Sequence, residues 1–96
     1  MKSLSSDSFE EFIRANECLV QFSATWCGPC KALTQTLQSS GITTPMGKVD
    51  IDDAPALSTE FGIRSVPTLI LFRDGKEVNR TMGAKPLSKI KEFLEP

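Results

Sequence analysis

Between Cys18 and Phe22 the chain reads Cys-Leu-Val-Gln-Phe, so an extended strand there is apolar on both faces except at Gln21. A strand buries both faces only in the middle of a sheet that carries helices on each side. The chain must therefore supply helical layers above and below this run, and the flanking pattern does so. Phe9, Phe12 and Ile13 keep helical spacing behind Asp7 and Glu10, which fit a capping box. Ser3-Leu4 closes a short first strand. A second helix opens near Cys27, admits Pro29 in its first turn, carries Leu33 and Leu37 one turn apart and stops at Gly41.

Val49 and Ile51 alternate with Lys48, Asp50 and Asp52 as a third strand. Asp52 or Asp53 then caps a short helix that holds Leu57 and Phe61 and ends at Gly62. Thr68 to Phe72 is a strongly apolar strand, Asp74-Gly75 a tight turn, and Glu77 to Met82 the returning arm. Leu87, Ile90 and Phe93-Leu94 mark a final helix. The predicted order βαβαβαββα is an α/β fold, a mixed central sheet flanked by helices on both faces. Its first strand pairings are parallel and its last is antiparallel. With no repeat, linker or low-complexity tract, residues 1–96 read as a single domain.

Composition removes whole classes of function. Eleven basic against twelve acidic residues leave a net charge of −1, which offers no polybasic footprint for nucleic acid or anionic membrane. The longest apolar stretch, Leu69 to Phe72, is far short of a membrane span. The first seven residues lack the apolar core of a signal peptide, so a cytoplasmic protein is expected. The chain contains no histidine, so histidine bases, Cys-His nucleophiles and histidine-ligated metals are all unavailable. Three cysteines cannot complete a four-ligand zinc site, and neither a metal nor a cofactor is expected.

What is left is a thiol pair in Trp26-Cys27-Gly28-Pro29-Cys30, placed after the central strand and opening a helix. A cysteine at a helix N-terminus faces unpaired N–H groups and the positive end of the helix dipole, which favour the thiolate. Cys27 occupies that place, and Cys30 lies one turn deeper. The expected cycle has the Cys27 thiolate attack a disulfide to form a mixed disulfide, from which Cys30 then displaces the reduced substrate. Two other readings are weaker. The pair is half a metal site at most, unless two chains share the metal. As a purely structural disulfide it closes too short a loop to stabilise the fold much. Cys18, at the start of the central strand, reads as a small core hydrophobe.

Trp26-Cys27-Gly28-Pro29-Cys30-Lys31 resembles the active-site motif of the thioredoxin family, and the likeness continues along the chain. Gly62-Ile63-Arg64-Ser65-Val66-Pro67-Thr68 resembles the family's cis-proline segment. Asp74-Gly75 is similar to its hairpin turn, Met82-Gly83-Ala84 to the glycine after its last strand, and Leu87 to Leu94 to its closing helix. The resemblance implies a thioredoxin fold and a monomeric dithiol–disulfide oxidoreductase. Such a protein reduces protein disulfides through a Cys27-Cys30 redox-active disulfide and is recharged by an NADPH-dependent thioredoxin reductase. It also implies a docking patch of Trp26, Gly28, Pro29, Val66, Pro67, Gly83 and Ala84. There the proline presents a smooth apolar surface, and the Val66 backbone pairs with an extended substrate segment.

The departures matter more. Gln21 stands where the family carries a buried aspartate thought to take the proton from the resolving thiol, and an amide cannot do that. Cys30 is therefore expected to lose its proton to water, or with electrostatic help from Lys48, which matches the family's lysine at that site. Gln21 is also expected to anchor a local hydrogen-bond network. Gln35 replaces a helix-kinking proline, and Ser23 replaces an aromatic. The stretch from Cys30 to Lys48 is a few residues short. Two rival readings are a thiol oxidant or isomerase and a non-catalytic binding or assembly subunit. Gly-Pro between the cysteines argues against the first.

Overall fold

The computed structural model describes residues 1–95, and Pro96 lies outside them. Its elements are β1 (Lys2–Leu4), α1 (Ser6–Ile13), β2 (Glu17–Ser23), α2 (Gly28–Gln38), β3 (Met46–Asp50), α3 (Pro55–Glu60), β4 (Thr68–Arg73), β5 (Lys76–Met82) and α4 (Leu87–Phe93). They form one five-stranded sheet in the order β1-β3-β2-β4-β5. β3 runs parallel to β1 and β2, while β4 runs antiparallel to β2 and β5. The strand read as apolar on both faces is the middle one of the five.

Each face of β2 feeds a separate core, as the period-two alternation of a strand dictates. Cys18, Val20 and Phe22 point to one side and join Phe9 and Ile13 of α1, Leu57 of α3, and Ile70 and Phe72 of β4. Leu19 points to the other and meets Leu33 and Leu37 of α2, Leu69 and Leu71 of β4, and Ile90 and Phe93 of α4. Gln21 and Ser23 follow Leu19 at strand spacing, so they fall under α2. Gln21 is wholly buried there.

Local details differ from the sequence reading in four places. The capping box of α1 is Ser5 with Ser8, not Asp7 with Glu10: Ser8 N–H donates to Ser5 Oγ at 3.2 Å and Ser5 N–H to Ser8 Oγ at 2.9 Å. Serine caps as well as aspartate, and the helix starts two residues earlier than the aspartate would place it. Helix α2 ends at Gln38, before Gly41, because the Ser39 and Ser40 hydroxyls donate to the carbonyls of Gln35 and Leu37 at 2.8 and 2.6 Å.

Strand β3 stops at Asp50, so Ile51 lies beyond it, its N–H still donating to Ser23 O at 2.9 Å. Helix α3 has no side-chain cap: Ala54 precedes Pro55 at its start, and neither Asp52 nor Asp53 plays that part. The chain has already turned on Asp50, whose carbonyl accepts from the N–H groups of Asp53 and Ala54 at 3.1 and 3.0 Å. The hairpin turn is as expected in kind. Asp74 (φ 52°) and Gly75 (φ 82°) both take the left-handed conformation that a two-residue turn with the right twist requires.

Candidate active site

The end of β2 delivers the thiols. After Ser23 the chain leaves the sheet, turns through Ala24 to Trp26, and enters α2 with Cys27 as its N-cap residue. Pro29 sits in the first turn, where its missing N–H costs no helical bond. Cys27 and Cys30 are joined as a disulfide, their Cα atoms 5.3 Å apart. The Cys30 backbone N–H donates to Cys27 Sγ at 3.1 Å. That donor and the positive end of α2 both favour negative charge on the Cys27 sulfur once the bond is reduced.

Cys27 is 5 % and Cys30 2 % exposed, so the pair presents the Cys27 edge outward and keeps Cys30 beneath it. Both pack with Ala24, Val66 and Ile51. The Val66–Pro67 peptide is cis, and the Val66 carbonyl oxygen stands 3.9 Å from Cys27 Sγ. Gly83 joins the same rim, its N–H donating to Pro67 O at 2.8 Å, and its φ of +88° suits only glycine without strain. Ala84 follows it, exposed. Trp26, Gly28 and Pro29 are exposed on the other side of the thiols, and Trp26 keeps 68 % of its surface in solvent. Its indole N–H donates to Asp52 Oδ2 at 2.9 Å, which holds the ring over the loop after β3 and occupies the carboxylate expected to cap α3. Sequence reasoning missed Asp52 as a partner, since nothing local ties it to a residue 26 positions away.

Beneath Cys30 the structure places Gln21. Its Nε2 donates to Cys30 O at 3.0 Å, and its Oε1 accepts from Thr34 Oγ1 at 3.0 Å. The buried amide is thus satisfied at both ends, tying β2 to the first two turns of α2. Thr34 was overlooked, although it lies four residues from Cys30 on one helix face and was findable by that spacing. Lys48 is half-buried and in register with Gln21 across the β2–β3 pair. A cleft of about 490 Å³ runs alongside, lined by Ser23, Thr34, Lys48 and Asp50 among others, and it reaches Cys30. Cys18 lies apart, fully buried in the α1 core. Burial and the neighbouring Glu17 carboxylate raise its pKa from 9.0 to about 11.

An N-capping thiol joined to a second one turn deeper, at the rim of a sheet covered on both faces, defines a dithiol–disulfide oxidoreductase. The family model described as thioredoxin matches residues 1–96. Thioredoxins of Chlamydia caviae and Chlamydia muridarum are each 47 % identical to this chain. The first match spans 88 % of this chain and 86 % of the relative, and the second 95 % and 92 %. Among solved structures, an N21Q mutant thioredoxin from Halobacterium salinarum superposes with a TM-score of 0.90 at 28 % identity, covering 98 % of this chain and 87 % of that one. The chain belongs to the thioredoxin family.

Proposed function

We propose that this oxidoreductase runs in the reducing direction on protein disulfides, with Cys27 as nucleophile and Cys30 as resolving thiol. One observation carries the assignment of roles: Cys27 is the N-cap of α2 and its sulfur accepts the Cys30 N–H, while Cys30 lies inside the helix and below it. The Cys27 thiolate attacks one sulfur of a substrate disulfide, and the other sulfur leaves as a thiolate that takes a proton from water. Cys30, deprotonated, then attacks Cys27 Sγ. The intramolecular disulfide forms as the second substrate thiolate departs, so two electrons pass to the substrate.

The exposed Trp26, Gly28 and Pro29 on one side, and Val66, Pro67, Gly83 and Ala84 on the other, form the proposed docking rim. A substrate segment lying between them meets mostly apolar surface and the Val66 backbone. A patch with few directional contacts suits a reductant of many partners. The proposed electron donor is an NADPH-dependent thioredoxin reductase, in keeping with the family, and the proposed setting is a cytoplasmic monomer of one domain. No helix among the described residues is long and apolar enough to cross a membrane.

The test is reduction of insulin disulfides driven by NADPH and a bacterial thioredoxin reductase. Turnover is expected in the wild type, none in Cys27→Ser, and a trapped mixed disulfide in Cys30→Ser. Activity that survives in the Cys27→Ser, Cys30→Ser double variant overturns the assignment. Reduction with dithiothreitol but not with reductase keeps the chemistry and replaces the donor. Failure with both turns attention to a binding subunit.

A further inference from the structure

Resolution requires Cys30 to shed a proton, because only its thiolate attacks the mixed disulfide. The group directly beneath it cannot take one: both polar atoms of the Gln21 side chain are engaged, and an amide does not ionise. The cleft of about 490 Å³ borders Cys30 and so offers water a way to it, and its lining includes three charged residues, Lys31 on α2 and Lys48 and Asp50 on β3. An ammonium group offers donors and no acceptor, so only Asp50 can receive a proton there.

Strand register explains why Asp50 is available. Ser23 pairs with Asp50 as Gln21 pairs with Lys48, and all four side chains fall on the α2 face of the sheet. Asp50 Oδ1 accepts from the Asp52 N–H at 2.8 Å, which fixes the carboxylate at the mouth of the loop after β3. No protein donor reaches Oδ2 among the described residues, and neither lysine forms an ion pair with it.

We infer that Asp50 is the proton acceptor for the resolving step, acting on Cys30 through water in the cleft. Asp50 is therefore a positioning residue and not one that touches the reacting sulfur. The Cys30 S–H bond breaks, its proton passes to a water, and that water's proton passes to Asp50. The sulfur's electron pair forms the new bond to Cys27 Sγ as the Cys27–substrate bond breaks. The substrate leaves as a thiolate. The proton on Asp50 returns to solvent through the open side of the cleft. This inference rests on the proposed roles of Cys27 and Cys30.

An aromatic disulfide with a coloured thiolate product separates the steps in stopped flow, since one coloured thiolate leaves at the Cys27 attack and a second at resolution. Cys30→Ser should show the first phase alone; if it shows both, the role assignment fails, independently of Asp50. Asp50→Asn retains an oxygen for the Asp52 N–H but cannot accept the proton. Its first phase should match the wild type and its second should slow about tenfold or more. Added formate, small enough for the cleft, should restore much of that loss, and Asp50→Glu should keep most of the rate. An Asp50→Asn second phase at the wild-type rate overturns the inference. So does a slowed phase that formate leaves slow, because that residue would then be merely structural.

Discussion

Phe9 is fully buried at the centre of an aromatic cluster, its ring 6.3 Å from Phe22, 5.3 Å from Phe61 and 5.8 Å from Phe72. Phe9→Ala removes the ring from a site where three partners are held by other elements. β2 and β4 fix Phe22 and Phe72, and Phe61 closes α3. Such a site cannot collapse well, so transfer and cavity contributions together cost about 3–5 kcal/mol. The lost edge-on and tilted ring contacts, each worth roughly 0.5–1.5 kcal/mol in favourable cases, put the expected value in the upper half of that range. A domain of this size has about 5–15 kcal/mol of stability in all, so the variant should still fold. A loss of about 4 kcal/mol lowers Tm by roughly 16–32 °C. The assay is urea unfolding followed by far-UV circular dichroism, with the slope m unchanged. Because Phe9 lies on the sheet face opposite α2, the rate of insulin reduction per folded molecule should match the wild type. A loss below about 1.5 kcal/mol would refute the packing argument, and a slower reaction from fully folded protein would refute the separation of the two faces.

Two further outcomes are expected. Gln21→Leu deletes the bonds to Cys30 O and Thr34 Oγ1, but Thr34 borders the cleft and can turn to water, while Cys30 O lies within α2. The cost should be about 1–2 kcal/mol by urea unfolding, the sum of two ordinary hydrogen bonds; a loss above about 3 kcal/mol would mean a buried group left unpaired. In the oxidised protein Cys18 is the only free thiol, and burial, with Glu17 second, raises its pKa from 9.0 to about 11. The native state then holds a proton the unfolded chain releases, so this contribution is complete below about pH 9 and fades as pH rises toward 11. The urea midpoint of wild type relative to Cys18→Ala should therefore fall across that window, and a difference that stays constant with pH would contradict the assignment.

The layered α/β plan was legible from β2 alone, since a run of five residues apolar on both faces except at Gln21 demands two covering layers. The hairpin turn was equally legible, because Asp-Gly states a backbone conformation locally. Helix boundaries were less so. Several polar residues near α1 and α3 were competent caps, but that Ser5 capped α1 and no side chain capped α3 depended on where the chain entered from the sheet. Asp52 shows the limit well: an aspartate before a short helix reads as a cap, yet its carboxylate is committed to the indole of Trp26 on another loop.

The chemistry of this protein follows from sequence to an unusual degree. With no histidine and three thiols, the pair at a helix entry is left as the reactive group, because thiolate stabilisation by a helix N-terminus is a local effect. Tertiary structure alone decided what surrounds that pair. The parallel pairing of β2 with β3 sets Lys48 beside Gln21 and Asp50 beside Ser23, residues 27 positions apart in each case. It also sets Ser23, Lys48 and Asp50 along the cleft that reaches Cys30, while the antiparallel pairing of β2 with β4 brings the Val66 carbonyl, just before β4, to Cys27. A nucleophile is chosen by its own backbone, but a proton's path is chosen by which distant side chains the sheet register places across the same few ångströms.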